Sequence, residues 1–241
     1  MASPVHQFEI QPLIPVSVGG VDVSFSNSAL FMVIAVGVSY GFLVWGMRER
    51  SLVPGRWQSM AELTYEFVAN MIRDNVGKEG FRYFPFIFTL FMFVLVGNVL
   101  GMLPYSFTYT SHIAVTGALA LVVFAGVTLI GFARHGLHFL RLFFPHGAPL
   151  ATAPILIPIE IISYLSRPFS LSVRLFANMT VGHIMLKVLA GFVVSLGVVF
   201  GIVPLAATVG VTILEFGIAF LQAYVFTILS CIYLNDAINM H

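Results

Sequence analysis

Two apolar runs in the last third of the chain constrain its fold most strongly. The sequence is almost continuously apolar from residue 154 to 190 and again from 204 to 238. At a rise of about 1.5 Å per residue, each run would form a helix of roughly 50 Å, whereas the hydrocarbon core of a bilayer is about 30 Å thick. No polar turn interrupts either run. We therefore predict a membrane-embedded hairpin of two long, strongly tilted helices, residues 150–190 and 202–238.

The composition agrees with a membrane location for the whole chain. Of the 241 residues, 59% are hydrophobic and only 9% are charged, whereas a soluble domain has about 25% charged residues. A net charge of +1 gives no indication of nucleic-acid binding. Three further apolar runs of suitable length predict upright transmembrane helices at 28–47, 84–103 and 113–134. The predicted fold is a single all-α integral membrane domain, 1–241, with an outer N-terminal segment at 1–27.

One more helix is predicted at 54–78, and it differs in kind from the spans. Apolar residues recur there at steps of three and four, while polar residues take the other face. This pattern predicts an amphipathic helix that lies on the membrane or on a neighbouring helix. The predicted apolar face contains Trp57, Met60, Thr64, Phe67, Val68 and Met71, and the predicted polar face contains Gln58, Glu62, Glu66, Asn70 and Arg73.

The basic residues predict the orientation of the chain. The N-terminal segment and the loop at 105–112 contain no Lys or Arg, whereas the connections after the first and third spans contain several. Basic loops stay in the cytoplasm, so we expect the N-terminus outside and the C-terminus inside the cell. The basic residues are Arg48, Arg50, Arg56, Arg73, Lys78 and Arg82 between the first two spans, and Arg134 and Arg141 after the third.

Few polar residues interrupt the predicted hairpin, and Arg174 is the most unusual of them. A central arginine costs about 2.5 to 3.5 kcal/mol on insertion scales, which makes it a candidate functional residue. No acidic residue lies three or four positions from it, so its partner must come from another helix or another protein. The other polar residues are Glu160, Arg167, Ser170, Asn178, His183, Lys187, Glu215, Gln222 and Asp236.

The spacing of these residues predicts how the two helices pair. Facing positions in an antiparallel hairpin have a constant sum of residue numbers. The pairs Arg174–Gln222 and His183–Glu215 give nearly equal sums, which places the turn near residue 198. Structural roles remain open for several of these residues: Glu215 could tie His183 or Lys187 to the other helix, Asn178 and Gln222 could bridge helices, and Arg167 could pair with Glu160.

Several motifs resemble one family over nearly the whole chain. Residues 170–179 read SLSVRLFANM and are followed by Gly182 and His183, and Glu215 precedes the run QAYVF that starts at Gln222. Residues 97–108 read GNVLGMLPYSFT, and residues 6–9 read HQFE. Together they resemble subunit a of the rotary F-type ATP synthase. The order His183 then Glu215 is similar to mitochondrial-type members, whereas some bacterial members have the acid first.

The resemblance implies a stator subunit that is not itself catalytic and needs no cofactor. It implies a ring of c subunits, peripheral-stalk b subunits, the rest of the ATP synthase complex and membrane lipid as partners. The expected location is a bacterial inner membrane, with the mitochondrial inner membrane as the alternative. Arg174 would match the arginine that faces the ring carboxylates and separates two proton half-channels. His183 and Glu215 would belong to the outer half-channel and Glu160 to the inner one, with Ser170, Asn178 and Gln222 also along the proton path.

Two other functional classes are open at this stage. A haem- or quinone-carrying redox subunit would need axial histidines inside its spans, but only His183 lies there, and a visible absorption spectrum without a haem band would exclude it. A self-contained channel or secondary transporter usually contains internal repeats, and no convincing repeat is present. Such a protein would conduct ions alone in liposomes, whereas a stator would not.

Overall fold

The chain is almost entirely helical in a computed structural model, which describes residues 10–15, 17–18, 21–22, 24–48, 51, 53–103, 106–136, 138–139 and 153–239. Within these residues, five helices are long and apolar enough to cross a membrane. The predicted class, an all-α integral membrane protein, is therefore confirmed. The helices are α1 (Asn27–Gly46), α2 (Arg56–Asn75), α3 (Phe84–Gly101), α4 (Ile113–His135), α5 (Ala153–Ser195), α6 (Gly197–Phe200) and α7 (Ile202–Ile238).

Short antiparallel strands precede α1. Strand β1 (Pro12–Ile14) pairs with β4 (Phe25–Ser26), and β2 (Ser17–Val18) pairs with β3 (Val21–Asp22). The side chain of Ser26 then accepts a hydrogen bond from the backbone N–H of Ala29, which satisfies one free donor in the first turn of α1. Prolines in this segment predict only that a regular helix is absent, and the two small sheets are a feature that the structure adds.

Helix α2 is amphipathic, as predicted, although one residue of its predicted polar face, Gln58, is buried. Trp57 and Met60 are 60% and 51% exposed, while Ala61 and Ala69 are buried. The buried Gln58 donates a hydrogen bond of 2.8 Å to Glu62. Helix α2 packs against α1, α3 and α7, and two residues of its predicted apolar face, Val68 and Met71, are buried there. The predicted helical period is confirmed, and Trp57 and Met60 lie on the outer surface of the chain.

Helices α3, α4, α5 and α7 form the core of the molecule. Helix α7 packs against α3 and α5, and α5 packs against α4. Side chains that are fully buried between these helices include Phe91, Leu171, Leu175, Met179 and Phe226. Two short 3₁₀ helices, Lys78–Tyr83 and Tyr109–Ser111, lead into α3 and α4 respectively. The core therefore holds α5 and α7 in a fixed position beside α3 and α4.

The hairpin of α5 and α7 is much longer than the membrane core. Its helices contain 43 and 37 residues, which corresponds to about 65 and 55 Å at 1.5 Å per residue. The break between the two helices falls at 196–201. This agrees with the turn near residue 198 that the spacing of the polar residues predicted. Gly197 has a φ of +69° there, a conformation that other residues adopt only with strain. The strong tilt of the hairpin in the bilayer stays a prediction.

Several predicted features lie outside the described residues. These are the first nine residues with their HQFE motif, residues 104–105 after the second predicted span, Arg50, and most of the loop from 137 to 152, including Arg141.

Candidate functional site

Arg174 lies at the centre of α5, 21 residues from Ala153 and 21 from Ser195. Its side chain is exposed on the surface of the chain. Among the described residues, it has no hydrogen bond and no ion pair. Since an arginine stays protonated at all ordinary pH values, the helix presents an unpaired cation halfway along an apolar segment. No acidic side chain among the described residues compensates this charge.

One turn beyond Arg174, an amide pair joins α5 to α7. Asn178 donates a hydrogen bond of 2.7 Å to Oε1 of Gln222, and Gln222 is only 3% exposed. The predicted pairing of Arg174 with Gln222 is therefore wrong. Positions 174 and 178 lie on the same side of the helix, one turn apart, so the sum of residue numbers could not distinguish them. The shorter amide side chain makes the contact and leaves the arginine exposed.

An ion pair joins the two helices on the other side of Arg174. Arg167 donates a hydrogen bond of 2.8 Å to Oδ2 of Asp236, and its guanidinium group lies 5.4 Å from the ring centre of Tyr164 and 5.1 Å from that of Tyr233. The expected pairing of Arg167 with Glu160 is therefore wrong. Seven residues separate these two along about 10 Å of helix, which is too far for a direct ion pair.

His183 and Glu215 are brought together as predicted. The Nδ1 atom of His183 lies 3.6 Å from Oε1 of Glu215, and the Nε2 atom lies 2.9 Å from the hydroxyl of Thr108. His183 is 8% exposed and Glu215 is 2% exposed. Neither carboxylate oxygen of Glu215 has a hydrogen-bond donor among the described residues. A buried carboxyl group of this kind needs either a proton or a water molecule, so it is suited to exchange protons.

A glycine makes the close approach of Glu215 possible. A Cβ atom at Gly182 would collide with the Glu215 carboxylate. Gly182 is next to His183 in α5, so the absence of a side chain at 182 opens the space that the acid occupies. The motif of Gly182 and His183 therefore has a steric basis as well as a chemical one.

Further buried polar residues, which the sequence analysis did not single out, lie on α3, in the segment before α4, on α4 and on α5. Asn98 is fully buried in α3 and donates a hydrogen bond of 3.2 Å to the carbonyl of Ala219. Asn98 could have been noticed as the only amide side chain in an apolar run. The others are single Ser or Thr residues, which are ordinary in such segments and which nothing marked individually: Thr108, Thr110 and Ser111 before α4, Thr116 in the first turn of α4, and Ser172 in the middle of α5.

The site has two ends, and they can be told apart by their contacts. Thr180 donates a hydrogen bond of 3.3 Å to the carbonyl of Ser111, so the His183 end lies beside the loop before α4. At the opposite end, His135 contacts the carbonyl of Ile238 at 3.1 Å. Arg174 lies between these two ends. The polar cluster around His183 is therefore on one side of the arginine, and the Arg167–Asp236 pair is on the other.

Two predicted site residues stand apart from this cluster. Ser170 is exposed one turn before Arg174, and Glu160 is half-buried fourteen residues before it. Neither has a side-chain partner among the described residues. Among all residues that the structure describes, no group of three or more His, Cys, Asp or Glu side chains is arranged so that it could hold a metal ion.

Comparisons with known proteins agree on one family. Residues 29–235 match the family model of the ATP synthase A chain. The chain is 72% identical over 241 residues to a protein of Rhodospirillum rubrum, with all of both chains covered. It is 68% identical to a protein of Paramagnetospirillum magneticum, again with both chains fully covered, and 57% identical to one of Mesorhizobium japonicum, covering 98% of this chain and 96% of that one. Each relative is named ATP synthase subunit a.

Proposed function

The chain belongs to the ATP synthase A chain family, and from this premise we propose that it is the stator subunit a in the membrane sector of a proton-driven ATP synthase. In this role it forms two offset proton half-channels and presents Arg174 to the carboxylates of a rotating ring of c subunits. Proton flow turns the ring, and the rotation drives ATP synthesis elsewhere in the complex. The chain contributes no nucleotide chemistry of its own.

The unpaired position of Arg174 is the observation that carries this proposal. A cation in the middle of an apolar helix is costly unless an anion compensates it, and this chain supplies none among its described residues. A carboxylate on a partner that moves past Arg174 would provide the compensation. Facing lipid, that carboxyl group must be protonated, because a bare charge there is too costly. Beside Arg174, the ionised form is favoured and the proton leaves.

Arg174 also prevents a direct path for protons across the membrane. An arginine cannot give up its own proton at ordinary pH, so it cannot relay one. Protons that enter on one side must therefore travel on the ring before they leave on the other. Each proton that crosses carries about 2.3 kcal/mol per 100 mV of membrane potential, and this energy passes into rotation.

The outer half-channel runs through the polar cluster on one side of Arg174. The loop at 106–112 provides Thr108 beside His183, and Glu215 lies next along the path. Histidine suits this position because it changes its charge near neutral pH. Asn178 and Gln222 lie between the His183–Glu215 pair and Arg174. There they can bind a water molecule that carries the transferred proton. On the opposite side, we assign Glu160 and Ser170 to the inner half-channel.

The partners and orientation follow from the same assignment. The protein works within the ATP synthase complex, beside the c ring and the peripheral-stalk b subunits, in a bacterial inner membrane. From the distribution of the basic residues we infer that the N-terminus is outside and the C-terminus is in the cytoplasm. The contact of His135 with Ile238 supports this arrangement, because it brings the end of α7 to the basic end of α4.

The experiment that tests this function replaces Arg174 in the assembled complex. We expect Arg174→Ala to abolish ATP synthesis driven by a proton gradient, because ring carboxylates would no longer be forced to release their protons. Arg56→Ala is the matched control, since Arg56 is an exposed arginine at the start of α2 and should leave synthesis intact. Full coupled synthesis by the Arg174→Ala complex would refute the assignment.

A further inference from the structure

A charged cavity lies between the segment that leads into α3 and the end of α4. Its volume is about 640 Å³, and it lies away from Arg174 and from the His183–Glu215 pair. Lys78 and Arg82 line one side, and Arg134 lines the other. None of these residues takes part in the proposed half-channels, so the cavity needs a separate explanation.

The charges around this cavity do not balance. Glu79 forms an ion pair with Arg134. Lys78 and Arg82 are exposed and have no ion-pair partner among the described residues. The four side chains therefore carry a net charge of +2, concentrated at the mouth of one cavity. Such a concentration of positive charge attracts an anion, in particular one with phosphate oxygens.

The position of the cavity at the ends of two membrane helices indicates which kind of molecule carries this anion. Helix α3 begins at Phe84 and α4 ends at His135, so the charges lie at the ends of two helices that are long and apolar enough to cross a membrane. Tyr83 and Ile130 line the same cavity and are half-buried. A basic rim above apolar walls matches a phospholipid, whose phosphate lies at the interface and whose chains lie below it.

We propose that this cavity binds the phosphate-bearing headgroup of an anionic phospholipid in the cytoplasmic leaflet. Lys78 and Arg82 contact the phosphate, and Arg134, oriented by Glu79, closes the other side. The acyl chains then lie along α3 and α4 below Tyr83. The site would hold a lipid against the outside of the helices that support the proton path. This binding site is independent of the role proposed for Arg174.

Photolabelling of the intact complex tests this site. The complex is reconstituted in vesicles of phosphatidylcholine that contain either photoactivatable phosphatidylglycerol or photoactivatable phosphatidylcholine, and labelled peptides are identified by mass spectrometry. We expect the anionic probe to label residues 78–83 and 130–134 more strongly than the neutral probe. The preference should fall by about fivefold for each cation removed in Lys78→Gln and Arg82→Gln.

Control variants separate this site from general attraction to a basic surface. Arg48→Gln with Arg56→Gln removes two cations elsewhere on the same side and should leave labelling unchanged. Lys78→Arg with Arg82→Lys keeps both charges and should retain the preference, which shows that the loss is not due to misfolding. Equal labelling by both probes would overturn the proposal. Loss of the labelling in the presence of inorganic phosphate would also overturn it, because it would indicate a site for a free anion. Cross-linking of a Lys78→Cys variant to another subunit would overturn it too, because it would indicate a protein partner.

Discussion

Asn178 donates a hydrogen bond of 2.7 Å from Nδ2 to Oε1 of Gln222, and this bond joins the two long helices one turn away from Arg174. The cationic side chain itself remains exposed and unpaired among the described residues. The bond therefore separates two tasks. The amide pair holds α7 against α5, and the arginine stays available to a partner outside the chain.

The stabilising effect of this amide pair can be measured by a double-mutant cycle. We expect Asn178→Ala and Gln222→Ala each to lower the free-energy barrier to heat inactivation of the complex by about 1 kcal/mol. Each substitution leaves a polar group of the other residue without its partner. The double variant should lose less than the sum of the two, with a coupling of about 0.5 kcal/mol or more. The measurement is heat inactivation of the solubilised complex. Strictly additive losses would mean that the two amides do not interact.

Replacement of Gly182 tests the steric basis of the His183–Glu215 pair. We expect Gly182→Ala to displace the Glu215 carboxylate, because the added Cβ atom would occupy its place. ATP-driven proton pumping into inverted vesicles should then fall severalfold while the complex still assembles. Gly191→Ala is the control within the same helix, since a Cβ atom there meets nothing within 4 Å. Normal pumping by Gly182→Ala would show that the exact position of Glu215 does not matter.

A substitution that keeps the shape of Glu215 tests whether its carboxyl group transfers protons. We expect Glu215→Gln to lower the rate of proton pumping by about 10²-fold, because the amide cannot accept and release a proton at this position. Glu215→Asp should retain part of the rate. Glu66→Gln, which removes an exposed acid of α2, serves as the control and should pump normally. If Glu215→Gln pumps as well as the control, the outer half-channel must follow another path.

The sequence alone predicted the parts of this fold that depend on local pattern. Long apolar runs identified the membrane helices, and equal sums of residue numbers predicted the contact between His183 and Glu215 as well as the turn near 198. The same reasoning failed for Arg174 and Gln222, because a shift of one helical turn changes the sum too little to be detected. The spacing of seven residues along α5 suggested Glu160 as the partner of Arg167, whereas the structure pairs Arg167 with Asp236 on α7.

Other features were beyond the sequence because they depend on packing between distant segments. The contact of Thr108 with His183 joins a loop to a helix across 75 residues. The buried face of α2 depends on where its neighbours lie, and it includes Ala61 and Ile72 but not Trp57. Hydrophobicity predicts that a helix is amphipathic, but it does not decide which apolar residues face the protein and which face the lipid.

The most direct test of the central claim is whether the Arg174 face of α5 meets the ring carboxylate. A cysteine is placed next to that carboxylate on the c subunit and combined with Ser170→Cys, which lies exposed one turn from Arg174. Val36→Cys is the control, because it is 56% exposed near the middle of α1. We predict that oxidation of the assembled complex cross-links the Ser170→Cys variant to the ring and does not cross-link the Val36→Cys variant. Cross-linking of Val36→Cys with none at Ser170→Cys would contradict the account.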